Sequence, residues 1–396
     1  MKKFFYKLTA IIIAVIMLLP LCLKVFGEEK DPTPSENQFG VIDGSLNLNC
    51  KSAILMEATT GTILYAQNAQ EALPPASVTK VMTLLLVMEA IDAGTIRIDD
   101  TVSVSANAAS MGGSQVFLKE GEQMSVEDLL KSVVIASAND AAVALAEYVS
   151  GSVDAFVAKM NAKAAELGMT STKFENVTGL DDTAEHHLTS AKDIALMSCA
   201  LVAHPLVLEY SSIWMDTIRN GEFGLTNTNR LVRFYRGCTG LKTGSTSKAG
   251  FCISATAERD GLSLVCVIMG AESRDIRNAA ASSLLDWGFA NFALYKEDAG
   301  NTEPISVKGS AIRQITGSYP AFSCVVRRED LSKIEKTITL SDAITAPTPA
   351  GAKIGTVSYR CGERLIATID VCTECEIKRI GFLEILCQVF AKSLLI

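Results

Sequence analysis

Three short clusters in this 396-residue chain carry residue types that can do acyl chemistry. Ser77-Val-Thr-Lys80 sets a hydroxyl and an amine three positions apart, on one face if the segment is helical. A serine alkoxide is inaccessible near neutral pH without a partner base. A lysine serves if burial and neighbouring positive potential pull its pKa down. The start of a helix supplies such potential, and Val81, Met82, Leu84 and Leu85 supply the burial. Ser137-Ala-Asn139 offers a second hydroxyl, able to relay a proton to a leaving amine, and an amide able to hold a peptide carbonyl. Lys242-Thr243-Gly244 offers a cation, a hydroxyl for a carboxylate, and a glycine that lets a substrate backbone come close.

Each cluster alone has a blander reading. A helix-start serine beside a lysine whose stem covers apolar surface is common. S-x-x-K recurs at Ser245-Thr-Ser-Lys248, between Gly244 and Gly250, with no apolar helix behind it. S-x-N triplets also begin at Ser35, Ser45 and Ser105. Ser137 stands apart because it interrupts an otherwise apolar helical segment, where a polar pair needs a reason. K-[ST]-G occurs once, after Gly237-Cys-Thr-Gly240-Leu, at what should be the edge of a sheet. The three elements in this order are the signal.

The elements that must position them are legible. Ala53 to Met56 and Thr62 to Tyr65 flank Thr59-Thr60-Gly61 and predict a hairpin. Ala76 to Ile91 reads as a helix, apolar nearly all round and therefore buried, ended by Asp92-Ala93-Gly94. Ser125-Val-Glu-Asp128 resembles a capping box before another helix. Val153 to Leu167 and Thr189 to Ala203 read as further helices. Phe251 to Ala257 and Leu262 to Met269 read as strands joined by an Asp260-Gly261 turn, with a helix over Ile276 to Phe292. Strands from distant positions must then share one sheet, which predicts an α/β (α+β) body over residues 49–295. From about 300 to 377, Pro304 to Val307, Cys324 to Arg327, Lys336 to Leu340, Thr356 to Tyr359 and Leu365 to Ile369 predict a small all-β sandwich. In 378–396, Phe382, Leu383, Leu386, Val389 and Phe390 oppose Gly381, Glu384, Gln388 and Lys392, an amphipathic helix suited to a membrane surface.

Composition excludes several functions. Lys+Arg 36 against Asp+Glu 44 gives a net charge of −8, a poor match to nucleic acid. With 3 His and no H-E-x-x-H, little material exists for a zinc site or a His-based triad. Lys2, Lys3 and Lys7 precede the apolar run Leu8 to Leu23, and Val25-Phe26-Gly27 follows, so residues 1–27 read as a secretory signal and 28–48 as a linker. Cys238, Cys252 and Cys266 lie in apolar strand-like runs and read as buried hydrophobes. Cys372-Thr-Glu-Cys375 is a lone C-x-x-C, either a local disulfide or without consequence.

The three elements match the set of the penicillin-binding and serine β-lactamase superfamily. More narrowly, Gly240-Leu-Lys-Thr-Gly-Ser-Thr-Ser-Lys-Ala-Gly250 resembles the D-alanyl-D-alanine carboxypeptidases, the low-molecular-mass penicillin-binding proteins of the peptidase S11 group. So do Pro74-Pro-Ala-Ser-Val-Thr-Lys80, Phe174-Glu-Asn-Val-Thr-Gly-Leu180, Leu188-Thr-Ser-Ala-Lys-Asp193 and Leu284-Leu-Asp-Trp-Gly-Phe289. The resemblance implies a penicillin-binding catalytic domain, a β-rich second domain and a terminal amphipathic helix. It implies Ser77 as acyl-ester nucleophile, Lys80 as general base, Ser137 in proton transfer and Asn139 on the peptide. Lys242 would support catalysis and binding, with Thr243 and Arg277 at the terminal carboxylate. The backbone N–H groups of Ser77 and Ser245 would form an oxyanion hole, such donors being worth roughly 2.7–4 kcal/mol each. The implied substrate is the stem pentapeptide of peptidoglycan, with β-lactams as covalent inhibitors and no metal or cofactor. A serine β-lactamase and a non-catalytic wall- or penicillin-binding protein on the same scaffold are the alternatives. Glu166 and Glu175 stand where a class A lactamase carries E-x-x-L-N, and neither begins that pattern.

Overall fold

The computed structural model describes residues 46, 48–181 and 184–393. The expected secretory signal and most of the linker lie outside the described residues. Strands β1 (Ser52–Glu57) and β2 (Ile63–Gln67) form the expected hairpin. Far along the chain come β3 (Cys238–Thr246), β4 (Gly250–Arg259) and β5 (Leu262–Ala271). All five join one antiparallel sheet in the order β2-β1-β5-β4-β3. Its closure depends on β1 pairing with β5, from Ser52 opposite Met269 to Glu57 opposite Leu264. The turn between β4 and β5 has Asp260 and Gly261 at φ 51° and 76°, the left-handed pair that a tight hairpin requires.

Both faces of the sheet are covered, so its strands read as continuous apolar runs. Ile54, Met56, Val265, Val267 and Met269 face the larger core. That core is filled by helices α1 (Lys80–Asp92), α2 (Val126–Ile135), α3 (Asn139–Ser150), α4 (Val153–Glu166) and α5 (Ala191–Val202). Ala53, Leu55, Leu264, Cys266 and Ile268 face α6 (Arg274–Asn291) on the other side. Every residue of α1 from Lys80 to Met88 is buried, as its all-round apolar sequence requires. The Ser125 hydroxyl accepts the Asp128 N–H at 3.0 Å and starts α2. Asp128 does not close the box, since its carboxylate accepts from the Arg219 backbone instead.

One expectation is corrected here. Ser137 does not interrupt a continuous helix; it sits in the break between α2 and α3, at φ 64°. The apolar run on both sides of it belongs to two helices that bury their faces in one core, which is why the break is invisible to periodicity.

Helix α6 runs directly into β6 (Phe292–Glu297), which pairs with β7 (Phe322–Arg327). Beyond them lies a five-stranded sheet in the order Gly300–Asn301, Gly317–Tyr319, Arg364–Thr373, Lys353–Cys361, Ile334–Leu340, with a three-stranded sheet beside it. Tyr359, fully buried, stacks on Phe322 at 4.3 Å in the core of this β-rich part. The five strands read from sequence are present, and shorter ones such as Gln314–Ile315 and Ala343–Thr345 are too brief to show a period. Helix α7 (Phe382–Ser393) starts later than Lys378 because Glu384 reaches back to the Gly381 N–H at 3.0 Å. Cys372 and Cys375 are free thiols. No single described helix is long and apolar enough to cross a membrane.

Candidate active site

Pro74-Pro75 leads into a single 3₁₀ turn, Ala76–Thr79, which continues without a gap into α1. Ser77 lies on that turn and Lys80 is the first residue of the helix. The Lys80 Nζ is 2.9 Å from Ser77 Oγ, 2.6 Å from Asn139 Oδ1 and 2.9 Å from the Thr178 carbonyl. Its pKa is held well below the usual lysine value, first by complete burial and then by the charge of Lys242, with Asp140 pulling weakly the other way.

These three partners decide what the amine can do. Asn139 Oδ1 and the Thr178 carbonyl only accept hydrogen bonds. A neutral amine has two N–H bonds and one lone pair. When those N–H bonds serve the two obligate acceptors, the lone pair is left for the Ser77 hydroxyl, which both donates and accepts. The geometry therefore suits proton removal from Ser77.

Ser137 lines the same cleft, its Oγ buried and without a hydrogen-bond partner. Asn139 is anchored within the protein: its Oδ1 accepts from Lys80, and its Nδ2 donates one N–H to the Gly112 carbonyl at 2.7 Å, which leaves the second N–H for another acceptor. The next residue, Asp140, is fully buried and accepts the Val116 and Leu118 N–H groups at 3.1 and 3.0 Å. It fixes the loop carrying Ser114, which also lines the cleft.

The opposite wall is β3, the free edge of the sheet. Lys242 is not a solvated strand end: it is buried, and its Nζ donates to the Thr243 carbonyl at 3.0 Å. Burial, aided by the charge of Arg277, pulls its pKa down to about 7. The Thr243 hydroxyl donates to Thr228 Oγ1 at 2.8 Å. Gly244 is where β3 meets the Ala76–Thr79 turn, since a Cβ there would stand 2.7 Å from the Ser77 nitrogen and 2.9 Å from that of Val78. Arg277 lies at the far end, buried, with its guanidinium donating to Asn278 Oδ1 and the Cys252 carbonyl. Burial draws its pKa down to about 10. Ser77, Ser137, Thr243, Ser245 and Arg277 thus share one cleft of about 600 Å³, with Lys80, Asn139 and Lys242 buried behind its walls. The second S-x-x-K is not part of such a unit, because Lys248 is exposed and donates to the Asp181 carbonyl.

Sequence reasoning missed Thr178 and what holds it. Asn176 Oδ1 accepts the N–H groups of Thr178 and Gly179, and a Cβ on Gly179, at φ 81°, would fall 1.8 Å from the Ala76 carbonyl. His187 locks the same region. Its Nδ1 accepts the Glu175 N–H at 3.0 Å, so Nε2 carries the proton and donates to Thr79 Oγ1 at 2.8 Å. The signal was present in Phe174-Glu-Asn-Val-Thr-Gly-Leu180, but a backbone carbonyl leaves no mark in side-chain chemistry.

Comparison with known proteins agrees with this geometry. Residues 40–273 match the D-alanyl-D-alanine carboxypeptidase family, peptidase S11, and residues 306–379 match the penicillin-binding protein 5 C-terminal domain. The chain is 38% identical over 387 residues to D-alanyl-D-alanine carboxypeptidase DacF of Bacillus subtilis, covering 96% of this chain and 97% of that protein. It is 35% identical to D-alanyl-D-alanine carboxypeptidase DacC of Escherichia coli, covering 81% and 82% respectively. Penicillin-binding protein 5 from Haemophilus influenzae superposes with a TM-score of 0.74 at 28% identity, over 85% of this chain and 99% of that one. Penicillin-binding protein D2 from Listeria monocytogenes in its ampicillin-bound form gives 0.57 at 33% identity, over 62% of this chain and 100% of that one. A hydroxyl addressed by a buried amine, facing a glycine-bearing strand edge, thus occurs in a chain that belongs to the peptidase S11 family and is a serine-type D-alanyl-D-alanine carboxypeptidase of the penicillin-binding proteins.

Proposed function

We propose that the chain removes the terminal D-Ala from peptidoglycan stem pentapeptides through an acyl-enzyme on Ser77. The observation that carries this reading is the 2.9 Å approach of the buried Lys80 amine to Ser77 Oγ. Lys80 takes the Ser77 proton as Oγ attacks the penultimate carbonyl. The N–H groups of Ser77 and Ser245 receive the oxyanion, and the close approach of Gly244 to the Ser77 nitrogen supports that pairing. Ser137, with its unpartnered buried hydroxyl, passes the proton to the departing D-Ala nitrogen. Asn139 orients Lys80. Lys242 keeps the cleft electropositive and, through the Thr243 carbonyl, steadies the strand edge. Thr243 and Arg277 bind the terminal carboxylate. Water then hydrolyses the ester and regenerates Ser77. β-Lactams, which mimic the D-Ala-D-Ala end, acylate the same hydroxyl.

Export belongs to the same reading. Residues 1–27 direct the chain across the cytoplasmic membrane, leaving a catalytic domain over 49–295 and a β-rich domain over 300–377 on the extracytoplasmic side, at the wall. Residues 378–396 rest on the membrane surface. The exposure of Phe382, Leu383 and Phe390 at 77%, 74% and 61% supports this.

Mass spectrometry after benzylpenicillin tests the site. One adduct is expected on the tryptic peptide containing Ser77 and none in Ser77→Ala; labelling at Ser245 overturns the assignment. Release of D-Ala from a stem-peptide mimic, with a penicilloyl adduct that outlives the seconds of a lactamase turnover, separates this function from its two alternatives.

A further inference from the structure

Val116 and Leu118 are buried in the larger core, and Phe117 between them is 63% exposed at φ 57°. A left-handed backbone is costly for a bulky aromatic residue and persists only where the surroundings over-determine it. Here they do so along both edges of the chain. On one edge the buried Asp140 carboxylate accepts the Val116 and Leu118 N–H groups. On the other the Arg219 guanidinium donates to the Val116 and Phe117 carbonyls at 2.9 and 3.4 Å. Arg219 is itself held by Glu122, with its Nε 2.7 Å from the carboxylate. Two opposite charges thus fix a strained loop that turns an aromatic ring outward.

A second ring stands beside it. Arg219 lies at the tip of the hairpin formed by Met215–Ile218 and Phe223–Thr226. Phe223 meets Phe117 edge to face at 6.3 Å, and the Arg219 guanidinium lies over the Phe223 ring at 5.3 Å. Both segments come from the catalytic cleft, which Ser114 and Thr226 line. Phe117 is three residues beyond Ser114 and Phe223 three residues before Thr226. Each ring therefore stands within about 11 Å of extended chain from a cleft-lining residue.

We propose that Phe117 and Phe223 form a stacking platform for the muramyl sugar that carries the stem being cleaved. This rests on the acyl-enzyme reading above and deepens it: the enzyme holds the glycan end of the stem as well as its D-Ala end. The lengths agree. All but the last stem residue precede the scissile bond, roughly 14 Å of extended chain, and the sugar follows them. The chemistry agrees too. One face of a pyranose is a layer of C–H bonds with partial positive charge, which rests on the negative face of an aromatic ring. The Arg219–Glu122 ion pair beside the rings suits the hydroxyls and acetamide of the sugar's rim. A lipid surface would be met by a broad apolar face, not by two rings bordered by charge.

The test uses the full chain and one stem pentapeptide capped either with lactate or with N-acetylmuramic acid, with kcat/KM for D-Ala release. The lactyl cap keeps the peptide and its first amide, so the ratio of the two substrates isolates the sugar ring. About 5-fold in favour of the muramyl substrate is expected, roughly the worth of one aromatic contact, and carried by KM. In Phe117→Gly the ratio should fall toward one while release from the lactyl substrate stays within about 2-fold, because glycine adopts this backbone without strain and keeps the loop in place. Phe223→Leu, which keeps its bulk against the core and loses the ring, should lower the ratio as well. Penicillin labelling at Ser77 reports that the cleft of each variant is folded. A wild-type ratio near one, or a ratio that survives in both variants, overturns the platform. So does an equal loss on both substrates, which marks a purely structural loop, and so does loss of vesicle co-sedimentation in Phe117→Gly, which assigns the ring to a lipid surface. D-Ala release with a ratio near one sinks the platform alone, whereas a wild-type chain that releases no D-Ala from either substrate and forms no Ser77 adduct sinks the acyl-enzyme reading with it.

Discussion

Lys80 and Lys242 are two lysines in one buried site, and the charge of Lys242 makes that of Lys80 more costly. Lys80 works only when neutral, and its pKa is lowered by burial and by the Lys242 charge. Lys242 loses its own charge around pH 7. The rate of penicillin acylation should therefore rise with pH as Lys80 deprotonates and level or fall as Lys242 does. In Lys242→Gln the positive neighbour is gone, so the Lys80 pKa rises and the acid limb of the profile moves to higher pH. An acid limb that stays put, or moves down, contradicts the coupling. The stability consequence has the same origin. Both amines are depressed below their unfolded values, so their contribution is complete above about pH 10.5, the ordinary lysine value, and for Lys242 it is lost as pH falls toward about 7.

At the scale of elements, the site depends on how closely three pieces of backbone approach. The Ala76–Thr79 turn touches β3 at Gly244 and the 174–180 loop at Gly179. At Gly244 the obstructing atoms would all be backbone, Ser77 N, Val78 N and the Pro75 carbonyl, so no rotamer change relieves the clash. Gly244→Ala should push β3 off the turn and slow acylation by about 100-fold, near 2.7 kcal/mol of barrier, while circular dichroism stays native. Acylation within a few-fold of wild type would show that the contact is slack. The 174–181 loop is pinned by neutral His187, whose pKa burial lowers from 6.5 to about 4. A depressed pKa means its stabilisation is complete above pH 6.5 and is lost as pH falls toward about 4. Amide exchange in residues 174–181 should accelerate through that window before the rest of the fold opens, and His187→Gln should flatten the dependence. Acid opening that is uniform across the chain would assign it to other groups.

At the scale of the molecule, the catalytic part and the β-rich part are joined without a linker, because α6 passes straight into β6 and β6 pairs with β7. The outer end is different. Helix α7 exposes Phe382, Leu383, Val389 and Phe390, whereas Tyr359, Val357 and Val371 fill the β-rich core without it. Removing residues 381–396 should leave thermal unfolding and penicillin acylation unchanged and abolish co-sedimentation with anionic lipid vesicles. Vesicle binding that persists in the truncated chain would place the membrane contact elsewhere.

Residue type and order alone determined the chemistry. Hydroxyl, amine and K-T-G cluster were identifiable by kind, α1 was legible because every face of it is apolar, and the β4–β5 hairpin announced itself through Asp260-Gly261. Tertiary structure alone decided which state those groups occupy. The acceptors that turn the Lys80 lone pair toward Ser77 come from Asn139 and Thr178, 59 and 98 positions away. The burial that brings Lys242 to about pH 7 is a property of the packed sheet edge, not of Lys-Thr-Gly. Proton affinity is set by desolvation and by the charges and dipoles within a few ångströms. A local pattern holds no record of which distant segments will supply them.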